Sequence, residues 1–268
     1  MRNIKLIIEY DGTNYAGWQI QNSPQSAPIR QAGAVHRPQT KTIQETIEKV
    51  LEKILQEKVK VIGSGRTDSG VHALAQTANF RTHSLLAVSK IQKALNSLLP
   101  KDISLKEIGE ADKDFHSRYS AKSKTYRYFI LNSETRSAFL NKYVWHIPYR
   151  LNVSLMRKEA DALLGRHDFK SFCASGSSAK TTIRTIKKLS IETRNHKPST
   201  IGYKLIIIDI ESDGFLYNMV RNIVGTLFEI GRGKFPEGNL KKILLAQNRK
   251  QAGPTAPAQG LFLVEVKY

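Results

Sequence analysis

Cysteine is almost absent: Cys173 is the single one in 268 residues. One thiol excludes an internal disulfide and any multi-cysteine metal site. Long apolar runs are also missing. Nothing approaches the ~20 apolar residues of a membrane span, and the best candidate, Leu205 to Ile210, is broken by Asp209 and flanked by charge. The first ten residues enter an alternating strand pattern without a signal-peptide segment, so a cytoplasmic protein with no membrane association is expected. The histidines are scattered, with no HExxH or other paired spacing, and no metal is expected. Acids are scarce: Asp plus Glu number 23 against 42 Lys plus Arg, a net charge of +19. A chain this basic is drawn to polyanions, although a generally basic habit without such a partner gives the same balance.

What is present is an ordinary globular mixture, 40 % hydrophobic and 24 % charged, with enough apolar material for a core. Strands are expected at residues 3–10, 58–62, 76–80, 103–109, 122–131, 142–147, 182–194, 203–213 and 261–267. Helices are expected at 42–56, 89–99, 153–164, 215–230 and 237–247. Residues 22–40 carry Pro24, Pro28 and Pro38 among Gln, Ser and Ala and read as a long loop. The pattern is α+β in two subdomains, 1–110 and 111–268, with the boundary somewhere within 110–150. Each is expected to be an antiparallel sheet with helices on one face, and a cleft between two such sheets suits a large ligand.

Chemistry concentrates in residues 63–73, Gly63-Ser64-Gly65-Arg66-Thr67-Asp68-Ser69-Gly70-Val71-His72-Ala73. Three glycines permit a backbone other residues cannot follow. Asp68 in a plain Asx-turn is one reading. A dinucleotide fingerprint is a second, but its third glycine is replaced by Asp68 and no acid follows until Asp102, so the ribose ligand is missing. The third is a catalytic carboxylate. Asp68 is the one acid between residues 58 and 101, among seven Lys and Arg side chains. A lone carboxylate in a basic region costs affinity for phosphate unless it acts. Nearby Arg66 favours its ionised form, which suits a nucleophile or base.

Two further segments stand out. In residues 213–225 an apolar helical pattern contains Arg221, whose neighbours three and four residues away are Tyr217, Asn218, Val224 and Gly225. A buried arginine there needs a carboxylate from elsewhere, and Gly225 leaves room for a close approach; snorkelling to solvent or binding phosphate is the alternative. Residues 115–128 interleave bases with aromatics. Strand alternation puts Lys122, Lys124, Tyr126 and Tyr128 on one face, which fits a stacking platform for an unpaired base or simple cross-strand packing. His167-Asp168 invites a triad, but no serine lies on a nucleophile elbow and Cys173 has no companion, so the pair reads as a helix-to-strand turn.

Together these segments resemble the TruA family of tRNA pseudouridine synthases. Tyr10-Asp11-Gly12-Thr13-x-Tyr15-x-Gly17-Trp18-Gln19-x-Gln21 is similar to its opening motif, and Gly65 to Ala73 to its catalytic loop. Lys122-x-Lys124-x-Tyr126 resembles the strand with its active-site tyrosine. Gly214 to Gly225 and Ala256-Pro257-x-x-Gly260-Leu261 resemble its C-terminal motifs. The resemblance implies two α+β subdomains meeting at a basic central cleft and a homodimer with one tRNA touching both subunits. It implies uridine at positions 38 to 40 of the anticodon stem-loop as substrate, and no cofactor. By position, Asp68 is the catalytic aspartate, Arg66 assists extrusion of the nucleotide, Tyr126 packs on the base and Arg221 pairs with Asp68. RNA contacts are expected from Arg66, His72, Arg118, Lys122 and Lys124. Residues 22–40 are longer than the family's usual link, and Arg30, His36 and Arg37 within them are candidates to reach tRNA.

Overall fold

A computed structural model describes residues 1–19, 41–196 and 203–268, so the expected 22–40 loop, with Arg30, His36 and Arg37, lies outside the described residues. The chain divides into two compact units, Met1–Ala121 and Lys122–Tyr268. Both combine antiparallel strands with helices, an α+β architecture.

In the first unit, β1 (Arg2–Tyr10) alternates cleanly, turning Ile4, Leu6, Ile8 and Tyr10 into the core. After it comes α1 (Ile43–Leu55). Thr42 caps this helix by accepting the Glu45 N–H, and Gln56 ends it in the left-handed region at φ 55. Ile43, Ile47, Val50, Leu51 and Leu55 form its buried stripe. Next are β2 (Ile62–Gly63), β3 (His72–Thr82), α2 (Val88–Leu98) and β4 (Ile103–Ala111). β1 is central, antiparallel to both β3 and β4, and β2 pairs with β3.

The strand expected over 58–62 is reduced to Ile62–Gly63. Alternation alone did not reveal that the Val61 amide is satisfied by the Glu48 carboxylate of α1, 2.9 Å away, rather than by a strand. Conversely, β3 is longer than expected. Ile8 faces Gln76 and Tyr10 faces Ala73, so β3 carries one extra residue at its start. Such a bulge re-aims the chain, here where the 63–73 loop enters the sheet.

In the second unit, β5 (Ser123–Asn132) is followed by β6 (Trp145–Ile147), α3 (Val153–Ala160), β7 (Gly165–Asp168), β8 (Ile183–His196) and β9 (Tyr203–Ser212). The chain then forms α4 (Met219–Gly231), α5 (Asn239–Ala246) and β10 (Leu261–Lys267). The order β10-β5-β9-β8-β7 is antiparallel throughout, with β6 parallel to β5. Every residue of α4 except Arg221 is buried, the polar Asn222, Thr226 and Glu229 included, so the helix lies within the core of its unit.

Two expectations change here. The helix expected from Phe215 starts at Met219, because Asn218 takes φ 58 and cannot continue a right-handed helix backwards. Arg221 therefore sits in the first turn and is half-buried, rather than sunk in mid-helix. His167 and Asp168 lie in β7, paired with Arg184 and Ile183, instead of in a turn. The helix expected over 153–164 is α-helical only to Ala160, and Asp161–Leu163 tighten into a 3-10 turn.

Candidate active site

The loop from Gly63 to Ala73 is held against residues 10–19, which explains why the two motifs belong together. The Tyr10 hydroxyl lies 2.8 Å from Thr67 Oγ1. The Trp18 amide donates to the Thr67 carbonyl at 3.1 Å. The Tyr15 carbonyl accepts from the Gly70 amide at 3.3 Å and from Ser69 Oγ at 3.1 Å. Gly17, at φ +95, passes so close that a Cβ would lie 2.4 Å from the Thr67 carbonyl oxygen. Gly63 rests on the buried Trp18 indole, and a Cβ there would meet the ring at 2.5 Å. From the other side, Ser64 Oγ donates to Gln76 Oε1, whose Nε2 donates to the Gly65 carbonyl.

Asp68 opens a four-residue turn closed by the Val71 amide on the Asp68 carbonyl, 3.1 Å apart. Gly70 takes the third position at φ 76, a conformation open to glycine without strain. Asp68 is half-buried and the neighbouring Arg66 is exposed. Arg66 Nε donates to Gln19 Oε1 at 3.0 Å, so its guanidinium is steered by the opening motif. Burial raises the Tyr10 phenol far above its ordinary value, so it serves as a neutral hydrogen-bonding strut.

His72, expected among the RNA contacts, is 1 % exposed. Its Nδ1 accepts the Gly12 amide at 3.1 Å. Asp11 Oδ1 is also 3.1 Å from this nitrogen. Because the Gly12 N–H is aimed at Nδ1, that nitrogen is the acceptor. Asp11 Oδ1 takes its own hydrogen bonds from Thr13 N and Oγ1. The ring thus braces the loop against the Asp11-Gly12 turn.

In the second unit, β5 carries Lys124, Tyr126 and Tyr128, with Lys122 just before it. Lys122 is exposed, Lys124 half-buried and Tyr126 buried. The Tyr126 ring stands edge-on to Phe215, centroids 5.0 Å apart. Tyr128 is fully buried and donates to the Pro257 carbonyl at 2.7 Å. Arg221 Nε donates to the Ala256 carbonyl at 2.7 Å, and Nη1 to Asn218 Oδ1 at 3.0 Å. Arg221 and Tyr128 therefore clasp the Ala256-Pro257 segment between them. Burial raises the Tyr128 phenol, against the opposing influence of the Arg221 charge.

The room expected at Gly225 admits a close approach, that of another backbone segment. A Cβ there would lie 1.7 Å from the Pro254 carbonyl oxygen, so the room receives the 253–254 backbone. Arg249 ties that segment down. Its guanidinium donates to the Gly253 carbonyl (2.9 Å), Asn222 Oδ1 (2.9 Å) and Thr255 Oγ1 (3.1 Å). Burial with neutral acceptors lowers its affinity for its proton. Asn222 and Arg249 escaped the sequence reading. The available signal was an asparagine next to Arg221 within a strongly apolar helical segment.

Among the described residues, no three His, Cys, Asp or Glu side chains gather as metal ligands would, and no helix is long and apolar enough to cross a membrane. The first unit offers a half-buried carboxylate on a hydrogen-bonded turn beside an exposed arginine; the second carries Tyr126 packed on Phe215, and Arg221.

Comparison with known proteins gives a family. The model of the tRNA pseudouridine synthase family matches residues 6–120 and 160–268. Over 268 residues, and the whole of both chains, the sequence is 48 % identical to tRNA pseudouridine synthase A of Acetivibrio thermocellus. The corresponding figure is 45 % for tRNA pseudouridine synthase A of Thermoanaerobacter sp. strain X514. It is 44 % for tRNA pseudouridine synthase A 2 of Clostridium perfringens, again over both whole chains. Lys122, Lys124 and Tyr126 fall between the two segments of the family match but within these full-length alignments. With the 63–73 loop and residues 10–19 inside the matched range, and relatives 44–48 % identical over their full length, the chain belongs to the tRNA pseudouridine synthase family.

Proposed function

We propose that this chain isomerises uridine to pseudouridine at positions 38 to 40 of the tRNA anticodon stem-loop, with Asp68 as the catalytic carboxylate. The observation that carries the assignment is the setting of Asp68: a half-buried carboxylate at the head of a turn braced on both sides, next to an exposed arginine.

The reaction breaks the N1–C1′ bond of the target nucleotide and joins C5 of the same uracil to C1′. C5 loses its proton and N1 gains one, so nothing is oxidised and no group donor is needed. The sugar passes through an electron-poor state at C1′, as in glycoside cleavage. One ionised carboxylate can trap or stabilise that state, or take a sugar proton. Hydrolysis generally uses a second carboxylate to handle water. A site with one carboxylate favours recapture of the uracil.

The target base must leave its stack, at a cost of a few kcal/mol. Arg66 fills the vacated space, Tyr126 packs on the extruded base, and Arg221 pairs with Asp68 and keeps it charged. The position of Arg221 supports that last role. A cation in the first turn of α4 adds to the partial positive charge of the helix N-terminus, and both are relieved by an anion. Lys122, Lys124 and Arg118 are read as phosphate or base contacts, and the protein as a cytoplasmic homodimer with one tRNA touching both subunits.

Tritium release from tRNA labelled at uracil C5 tests the reading. Wild type releases tritium. Asp68→Asn binds tRNA but releases none. Release by the variant removes Asp68 from the chemistry, and loss of binding in the variant makes the residue a structural one.

A further inference from the structure

After β4 the first unit ends in a tight turn, residues 115–120. The Ser120 amide donates to the His116 carbonyl at 2.9 Å, and the His116 amide to Ser120 Oγ at 3.1 Å. His116 Nδ1 receives the amides of Arg118 and Tyr119, at 3.2 and 3.3 Å. These bonds fix the imidazole plane. Against it lies the Tyr119 ring, centroids 4.3 Å apart and planes inclined by 34°. The Arg118 guanidinium sits 5.6 Å from the Tyr119 ring centroid.

Three planar groups are thus stacked on a turn whose outer members point into solvent. Tyr119 is 76 % exposed. An exposed ring has no folding reason to be held so firmly, since it buries little area. The turn is also anchored. Ser117, fully buried, donates its amide to Asn79 Oδ1 and its hydroxyl to the Ile62 carbonyl, at 2.9 and 2.5 Å. Asn79 in turn donates to Asn3, which donates to the Asp112 and Phe115 carbonyls. Ile62 is the residue before Gly63, so the stack is tied to the strand that leads into the Asp68 loop. Residues 112–118, the turn and its approach, carry Lys113 and Arg118 but also Asp112 and Asp114, all exposed, and Arg81 and Lys5 lie against the same segment, on the Lys113 carbonyl and the Phe115 ring. The feature that charge alone does not account for is the pair of planar rings held face to face in solvent.

We propose that His116, Tyr119 and Arg118 form a second base platform, on which an unpaired nucleobase of the RNA stacks, distinct from the reacting uridine. The inference rests on the reading of tRNA as ligand. It assigns binding, not chemistry, to Tyr119. Aromatic stacking on a base is sequence-tolerant, and its loss on truncation to alanine weakens binding about tenfold or more.

The test uses the full-length protein and an unmodified tRNA transcript. Tyr119→Ala raises Kd about tenfold, with the loss of kcat/KM carried by KM. Tyr119→Phe keeps the ring and binds like wild type. The salt dependence of binding keeps its slope in Tyr119→Ala, because no charge is removed. Unchanged thermal midpoints show that neither variant misfolds. Wild-type affinity in Tyr119→Ala, or equal weakening in Tyr119→Phe, overturns the platform. If wild type binds tRNA in a Tyr119-dependent manner but releases no C5 tritium, the platform stands and the isomerase reading falls. If wild type binds no tRNA, both fall.

Discussion

At the scale of single residues, the candidate site depends on backbone placement as much as on its side chains. Asp68 owes its position to the turn whose third residue is Gly70 at φ 76. Alanine in that conformation costs about 1–2 kcal/mol. The strain falls on the turn that aims the carboxylate. Gly70→Ala is therefore expected to lower kcat by an order of magnitude or more while the melting temperature drops only a few degrees. Steady-state kinetics beside a thermal melt checks this, and an unchanged kcat would show that the turn does not set the carboxylate. Asp68, Arg66 and Gly70 were legible as a group because acids are so rare around them. The part played by His72 was not: the resemblance put it among the RNA contacts, and only a folded chain shows Gly12 donating to it from 60 residues away.

At the scale of elements, α4 and the 249–257 segment behave as one piece. Gly225 admits the 253–254 backbone, Thr226 Oγ1 accepts the Gly253 amide at 2.9 Å, and Arg221 and Tyr128 hold Ala256-Pro257. Arg249 adds hydrogen bonds to Gly253, Thr255 and Asn222 from a half-buried position, with neutral acceptors. Arg249→Ala leaves those acceptors unfilled and is expected to cost about 2–3 kcal/mol, lowering the melting temperature by roughly 5–10 °C. Arg249→Lys recovers part of the loss, since an ammonium lacks the planar fork that reaches several acceptors at once. Equal melting temperatures for wild type and Arg249→Ala would show that the segment is held by other contacts. Periodicity placed α1 and β5 well, because each has an unbroken buried face. It misplaced the start of α4 because Phe215 and Leu216 continue the apolar pattern through Asn218, where the backbone is left-handed.

At the scale of the whole molecule, net charge and buried phenols set the response to solution conditions. Burial raises the phenols of Tyr10, Tyr15 and Tyr128 above the ordinary value of 10.0. For each, the unfolded form ionises first. Their contribution to stability is full below pH 10 and is lost as pH rises above it. The expected outcome is a melting temperature insensitive to these groups near neutrality and falling steeply in alkali, with phenolate absorbance from the buried rings appearing together with loss of the folded circular dichroism signal. Phenolate formation at those rings ahead of unfolding would contradict the account.

The sequence by itself determined the α+β class, the basic character, the position of most elements and the segments that carry chemistry. These are set by local spacing and by composition: alternation for strands, a 3.6-residue period for helices, and one acid in a long basic stretch. Tertiary structure alone decided what braces those segments. That Tyr10 to Trp18 is the bed of the 63–73 loop, that Gly225 receives the Pro254 backbone, and that a Ser117 hydroxyl ties an exposed aromatic stack to Ile62 are facts about residues far apart in the chain. Their hydrogen-bond partners are chosen by the packing of whole elements, and a sequence records the groups that need partners without recording which partner each one finds.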